Sequence, residues 1–129
     1  MEYGRAIELD LSFEEAVPGV KRAFQEQGFG MLTEIDVTAT LKEKLGQDME
    51  RYLILGACNP SLAHRALDVD RRIGLLLPCN VVVREAGGRT IVEALDPEVM
   101  VAVTERDELR AIAKEAGSRI RAALDSLAS

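Results

Sequence analysis

The stretch LLLPCNVVVREAGGRTIVEAL, residues 75–95, decides the fold. Two apolar runs rich in valine and isoleucine flank the short glycine-rich link at 86–88, and this pattern is typical of a β-hairpin. Pro78 lacks the amide proton that the middle of a ladder requires, so it marks a strand start, an edge or a bulge. The stretch therefore predicts adjacent antiparallel strands at 74–85 and 89–95.

Earlier segments of the chain also have the loosely alternating or β-rich apolar character of strands. They lie at 3–9, 29–37 and 51–57. After the hairpin, the run EVMVAV at 98–103 fits a further short strand or a turn. The sequence thus predicts a sheet of four to six mainly antiparallel strands.

Helices with clear start and stop signals separate these strands. Ser12 and Glu15 form the capping box of a first helix, which Gly28 ends and in which Pro18 predicts a kink. Asn59 is the N-cap of a later helix, and Pro60 occupies its first position, where the missing N–H is harmless.

Two further helices are predicted from the same kinds of signal. Thr40 and Glu43 predict the capping box of a short helix that ends at Gly46. Thr104 is predicted to cap the long C-terminal helix, whose apolar residues form one stripe that packs on a flat surface. The first and last helices are expected to cover one face of the sheet, giving a single α+β domain over residues 1–129.

The composition is that of an ordinary water-soluble domain, and it excludes several functional classes. The formal net charge is −6, and no cluster of Lys and Arg is present to neutralise phosphates, so no nucleic-acid partner is expected. No apolar run is long enough to span a bilayer, and residues 1–12 lack the apolar core of a signal peptide. We therefore predict a cytoplasmic protein without a membrane partner, in which both cysteines are reduced.

Five segments, in this order and at these spacings, resemble the domain-of-unknown-function 302 family. They are GFGMLTEIDVTATLKEKLG, LGACNP, AHRAL, GLLLPCNVVV and ALDP, and the resemblance runs from about residue 3 to about residue 103. It implies a TBP-like fold of β-α-β(4)-α type, a curved antiparallel sheet with two principal helices on one side. It also implies a homodimer, but it implies no activity and no particular cofactor.

The two cysteines, each followed by asparagine, are the leading candidate site residues. Cys58 ends a predicted strand just before a helix N-terminus, where free N–H groups and the helix dipole stabilise a thiolate. Cys79 begins a strand that could lie beside it. The thiols could form a disulfide or a redox pair, or they could be buried small hydrophobes.

Other polar residues extend this candidate site. Cys58, Cys79, His64 and Asp36 could in principle make a metal set, but the tight ligand spacings of zinc sites are absent, so no metal is assigned. Asn59 and Asn80 have local structural explanations as a cap and a backbone partner. Asp36 could be a cap, an ion-pair partner or an acid in a cleft.

Three functions remain open on the sequence. The first is a binding module for a small molecule or a partner, with a site formed by Cys58, Asn59, His64, Cys79 and Asn80. The second is a thiol-based redox protein or enzyme that uses Cys58 and Cys79, with Asp36 as a further catalytic candidate. The third is a structural homodimer whose thiols are packed and inert.

Overall fold

A computed structural model describes residues 2–128, and in this part of the chain it contains five strands and five α-helices. The strands are β1 (Gly4–Leu9), β2 (Gly30–Asp36), β3 (Tyr52–Cys58), β4 (Cys79–Ala86) and β5 (Arg89–Leu95). The α-helices are α1 (Phe13–Glu26), α2 (Val37–Leu45), α3 (Pro60–Val69), α4 (Glu98–Thr104) and α5 (Arg110–Ala128). Short 3-10 segments lie at Arg71–Leu76 and Asp107–Leu109.

The strands form one antiparallel sheet in the order β1-β5-β4-β3-β2. The predicted α+β class is confirmed, and so is the order of one strand, one helix, four strands and a final helix, with α2, α3 and α4 as shorter insertions. The hairpin of β4 and β5 lies at the centre, joined by Gly87 and Gly88 with positive φ. Each of its strands is therefore hydrogen-bonded to a neighbour on both sides. Both strands are rich in β-branched residues, which favour the β conformation.

We call the face of the sheet that packs against α1 and α5 the covered face. Its side chains include Leu55, Val81, Val83 and Val92, which are buried with Phe24 and Ile120 of the two helices in one hydrophobic core. A second core joins α3, α4 and the first half of α5 through Leu62, Met100 and Ile112. Because α5 contributes to both cores, it fixes the position of α3 and α4 against the end of the sheet.

We call the opposite side of the sheet the open face. Side chains alternate along a strand, so this face carries Ile35, Ile54 and Val82, which lie in one cross-strand row. Ile54 and Val82 are half-buried, whereas Ile35 is 48% exposed. None of these three residues belongs to the two hydrophobic cores of the described residues, and α2, which contacts β3, has no buried residue.

The edge strand β2 is irregular. The pairing shifts register between Met31 and Thr33, so Leu32 is an extra residue, exposed and without a partner on β3. On β3 itself, a β-carbon added to Gly56 would collide with Thr33 Oγ1 and would lie 2.8 Å from Pro78 Cγ. Gly56 is therefore required by the close approach of both neighbouring strands.

Several predicted helix ends are confirmed. Ser12 accepts a hydrogen bond from the Glu15 N–H at 3.1 Å, and the helix ends before Gly28, whose φ is +86°. Asn59 Oδ1 accepts from the Leu62 N–H at 3.2 Å as the N-cap of α3. Helix α1 continues through Pro18. The helical residues Ala16 and Val20, on either side of the proline, are buried in the core.

Two predicted caps were wrong, and so was the prediction of a short strand or a turn at 98–103. The N-cap of α2 is Asp36, which accepts from the Ala39 N–H at 2.9 Å, and Thr40 lies inside the helix. Residues 98–103 belong to a helix, α4, because Pro97 starts it and Met100 and Val101 pack into the second core. Thr104 ends α4, its hydroxyl donating to the Met100 carbonyl at 2.6 Å, so the long helix begins only at Arg110.

The first hairpin strand is also shorter than predicted. Residues 71–76 form a 3-10 segment, and the strand begins at Cys79, directly after Pro78. Of the three placements that the proline left open, the strand start is the one observed.

Candidate functional site

Both cysteines lie where β3 ends and β4 begins. Cys79 is paired in the ladder with Ala57, so Cys58 is on the neighbouring strand, one residue further along. Cys79 is on the covered face and only 8% exposed, whereas Cys58 is half-buried. The register thus places the two cysteines on adjacent strands although they are far apart in sequence, while strand alternation directs the Cys58 side chain, which follows Ala57, to the opposite face of the sheet.

A small cavity of about 30 Å³ lies beside these strand ends, between the sheet and α3, α4 and α5. Cys58, Cys79 and Met100 line it, together with apolar side chains such as Phe29, Leu62 and Ile112. A space of this size holds about one or two water-sized particles. The site is therefore a tight apolar pocket with three sulfur-containing residues in its wall.

The electrostatics of the pocket disfavour a free thiolate at Cys79. Burial, and to a smaller extent the charge of Cys58, raise the pKa of the Cys79 thiol from 9.0 to about 11. Both thiols are free, so no disulfide joins them.

Asn59 lies next to Cys58 and is buried, but its side chain has a structural task. Its Oδ1 caps α3, and its Nδ2 would lie 3.0 Å from a β-carbon at Gly28. Arg119 of α5 donates a hydrogen bond to the Gln27 carbonyl at 3.2 Å, next to Gly28. This packing fixes the start of α3, and hence Cys58, against the loop before β2.

The other sequence candidates lie elsewhere. His64 points away from the cavity, with its side chain 77% exposed and its Nδ1 3.7 Å from Asp68. Asn80 is exposed on the open face, because it follows Cys79 in a strand whose side chains alternate. Asp36 is occupied as the cap of α2. The structure therefore brings together Cys58, Asn59 and Cys79 but not His64, Asn80 or Asp36.

Asn80 belongs to a second candidate surface, a shallow groove of about 300 Å³ on the open face. Tyr3, Tyr52, Val82 and Leu95 line it as well. An ion pair, Arg84 Nε to Glu93 Oε1 at 2.7 Å, lies on the same face. The Arg84 guanidinium has a raised pKa, with the hydrogen bond to Glu93 as the largest cause.

Sequence reasoning missed Met100 as a member of the thiol site. The residue is 3% exposed, and α4 brings it to the cavity from a segment that the sequence assigned to a strand or turn. Among residues 2–128, no three His, Cys, Asp or Glu side chains form a group able to hold a metal ion. In the same described range, no helix has the length and apolar character needed to cross a membrane.

Comparisons with known proteins bear on the fold and the family. The family model described as "Domain of unknown function DUF302" matches residues 5–127. A crystal structure of an uncharacterized conserved DUF302 protein from Bacillus stearothermophilus superimposes with a TM-score of 0.92 and 29% sequence identity, over 98% of this chain and 99% of that one. No curated protein matches the sequence significantly. Because the family model covers nearly the whole chain and the related structure has the same fold, the chain belongs to the DUF302 family.

Proposed function

We propose that this protein is a partner-binding module and that its partner is a second copy of the same chain, docked through the open face of the sheet. The observation that carries the proposal is the row formed by Ile35, Ile54 and Val82. These side chains continue the β-branched pattern of the strands, yet none of them belongs to either hydrophobic core of the described residues, and α2, the helix that contacts β3, has no buried residue. Exposed apolar patches with a polar border are typical of interaction surfaces.

The composition of the open face suits a protein interface. Tyr3 and Tyr52 lie in its groove, and tyrosine is enriched at interfaces because it combines an apolar ring with a polar tip. Arg84 and Glu93 neutralise each other within one chain. Two copies can therefore approach face to face without bringing unpaired like charges together, although each chain has a net charge of −6.

The size of the face also fits a weak homodimer. Strands lie about 4.8 Å apart and rise about 3.4 Å per residue, so the five-stranded sheet presents roughly 20 Å by 20 Å. Two such faces bury on the order of 800 Å², below the roughly 1,000 Å² expected of a stable specific interface, so we propose a weak homodimer that dissociates on dilution. An isologous arrangement uses the same patch on both copies and closes at two.

The alternatives at the cysteines have less support. A cavity of about 30 Å³ is much smaller than the roughly 300 Å³ or more of pockets that bind organic ligands. A redox function needs a reactive thiolate, and burial raises the pKa of Cys79 to about 11. The homodimer proposal therefore uses the open face, where Asn80 is located, and does not use the thiol cavity.

The test is a measurement of mass in solution by analytical ultracentrifugation, with dilution from high to low micromolar protein. We expect a dimer for the natural protein and a monomer for Val82→Glu, because a charge in the centre of the interface would lose its water. Ile35→Glu, at a position that is 48% exposed, gives the same expectation with less risk to folding. Leu75→Glu is the control, since Leu75 is 80% exposed and lies outside the open face.

A natural protein that stays monomeric at every concentration would overturn the proposal. So would a dimer whose dissociation constant is the same in Ile35→Glu, Val82→Glu and Leu75→Glu, because the interface would then lie elsewhere. Circular dichroism of each variant verifies that it is folded before its mass is interpreted.

A further inference from the structure

We propose that the groove on the open face binds a small neutral molecule with an adenine-type ring, and that this molecule competes with the second copy of the chain. By an adenine-type ring we mean a flat heteroaromatic system with a hydrogen-bond donor next to an acceptor on one edge. The groove has a volume of about 300 Å³, and its lining includes Tyr3, Tyr52, Asn80 and Val82. The competition rests on the proposed homodimer, whereas the binding does not depend on it.

The dimensions of the groove suit a single ring system. Sites for small molecules usually have volumes of about 300–1,000 Å³, with mostly apolar walls and a few polar groups. This groove is at the lower end of that range, and Val82 and Leu95 give it apolar surface. A dinucleotide or another long cofactor would extend beyond it, so the expected ligand is a base or a nucleoside.

Three polar side chains of the groove have hydrogen-bonding groups that the described part of the chain does not use. The hydroxyls of Tyr3 and Tyr52 and the amide of Asn80 have no hydrogen-bond partner within that part. Asn80 is exposed, and its amide offers a donor and an acceptor side by side. Tyr3 is 70% exposed, so the rest of the chain leaves much of its ring free to stack on a ligand.

These groups match the edge and the faces of an adenine-type ring. An asparagine amide forms two hydrogen bonds with the amino group of adenine and the neighbouring ring nitrogen, and bases stack on tyrosine rings. Charge disfavours the phosphorylated forms, because Glu93 lines the groove and the chain has a net charge of −6. Arg84, which could neutralise a phosphate, is already paired with Glu93 at 2.7 Å.

Val82 connects the groove to the proposed dimer. It lines the groove, and it also belongs to the apolar row that it forms with Ile35 and Ile54. A ring that lies against Val82 occupies space that the second chain needs, so a chain cannot bind the ring and its partner at the same time. The ligand therefore lowers the fraction of dimer, and by linkage the dimer binds the ligand more weakly than the monomer does.

The first experiment is isothermal titration calorimetry of the Ile35→Glu variant with adenosine. Ile35 does not line the groove, so this variant separates binding from association. We expect one adenosine per chain. Adding Asn80→Ala should weaken binding by roughly 10-fold or more, the loss expected when a bidentate contact to a base is removed. Adding Tyr52→Leu should weaken binding by roughly 5-fold or more, because a stacking surface is lost.

The matched control is Gln47→Ala, which removes an exposed side-chain amide outside the groove and should leave the affinity unchanged. Adenosine with two methyl groups on its amino nitrogen is the ligand control, and it should bind more weakly because it lacks the donor. No saturable binding of adenosine to Ile35→Glu or to the natural protein would overturn the site. Equal affinities in Asn80→Ala and Gln47→Ala would overturn the recognition of the ring edge.

The second experiment is analytical ultracentrifugation of the natural protein with and without saturating adenosine. We expect adenosine to raise the dissociation constant of the dimer by roughly 5-fold or more. An unchanged dissociation constant would overturn the competition, although the calorimetry would still decide the site. A natural protein that is monomeric at every concentration would overturn both the homodimer and the competition, and binding of adenosine to that monomer would show that the site exists without them.

Discussion

Leu55 and Ile54 are neighbours in sequence on β3, and their side chains point to opposite faces of the sheet. Leu55 is fully buried in the core under α1 and α5, whereas Ile54 is half-buried on the open face between Ile35 and Val82. Ile35, Ile54 and Val82 are of the same types as the buried residues of the covered face, but the open face also carries Asn80, Arg84 and Glu93. Only the row of three apolar residues therefore resembles a face that another layer could cover.

The largest expected effect comes from truncating this pair of residues. Leu55→Ala should lower the free energy of unfolding by about 2–5 kcal/mol, because it leaves a cavity in a close-packed core. Ile54→Ala should cost about 1 kcal/mol or less in the monomer, since a half-buried side chain loses less contact with its surroundings. Urea denaturation followed by circular dichroism at low protein concentration measures both.

The effect of Ile54→Ala should also depend on protein concentration. If Ile54 is buried by a second chain, the loss in Ile54→Ala should grow as the concentration rises, because association stabilises the folded state by mass action. Equal losses in both variants at a concentration where the chain is monomeric would break the distinction between the faces.

The thiol on the covered face gives the next effect, which depends on pH. The pKa of Cys79 is about 11 in the folded protein against an ordinary value of 9.0, so the unfolded chain loses this proton first. The stability that the neutral thiol contributes is complete below pH 9.0 and is lost as the pH rises toward about 11. A shift of this size corresponds to a loss of about 3 kcal/mol in the free energy of unfolding.

The measurement is urea denaturation in buffers spanning that range, taken as the difference between the natural protein and Cys79→Ala. Lysines and tyrosines titrate in the same range, and the difference cancels their contribution. Cys58→Ala is the control. Because Cys58 is only half-buried, this substitution should leave most of the pH dependence of the free energy of unfolding unchanged. A natural protein and a Cys79→Ala variant with parallel pH profiles would contradict the assignment.

The smallest of the three effects tests the close packing of Thr33 and Pro78 against Gly56 on the open face. Gly56→Ala should cost about 1–3 kcal/mol, because its methyl group would collide with Thr33 Oγ1 and would lie 2.8 Å from Pro78 Cγ. Gly30→Ala on β2 is the matched control, since a β-carbon there meets nothing within 4 Å. Thermal unfolding of the two variants should separate them, and equal midpoints would mean that Thr33 and Pro78 move aside freely.

Much of the fold could be predicted from local signals. The hairpin at 74–95, the Ser12 and Asn59 caps and the stop at Gly28 all follow from residue types that a turn or a helix end requires. The predicted caps Thr40 and Thr104 were wrong for different reasons. The side-chain oxygen of Asp36 caps α2, so that helix begins before Thr40. Packing of Met100 and Val101 makes the segment before Thr104 a helix, so Thr104 lies at the end of α4.

The candidate site could be predicted only in part. The thiols were identified, and the pairing of Ala57 with Cys79 explains why they lie on adjacent strands. Asn80 and His64 were assigned to the same site because they are close in sequence, yet strand alternation and helix orientation direct them away from it. Met100 could not be found, since its arrival at the cavity depends on long-range packing of α4 against α3 and α5.

The extra residue Leu32 on β2 affects whether other chains can pair with this edge of the sheet. An unprotected edge strand offers a row of free backbone groups to any other chain, and repeated edge pairing leads to fibrils. The register shift between Met31 and Thr33 interrupts that row, and the charged Glu34 and Asp36 follow it. Growth by strand addition along this edge is thereby hindered.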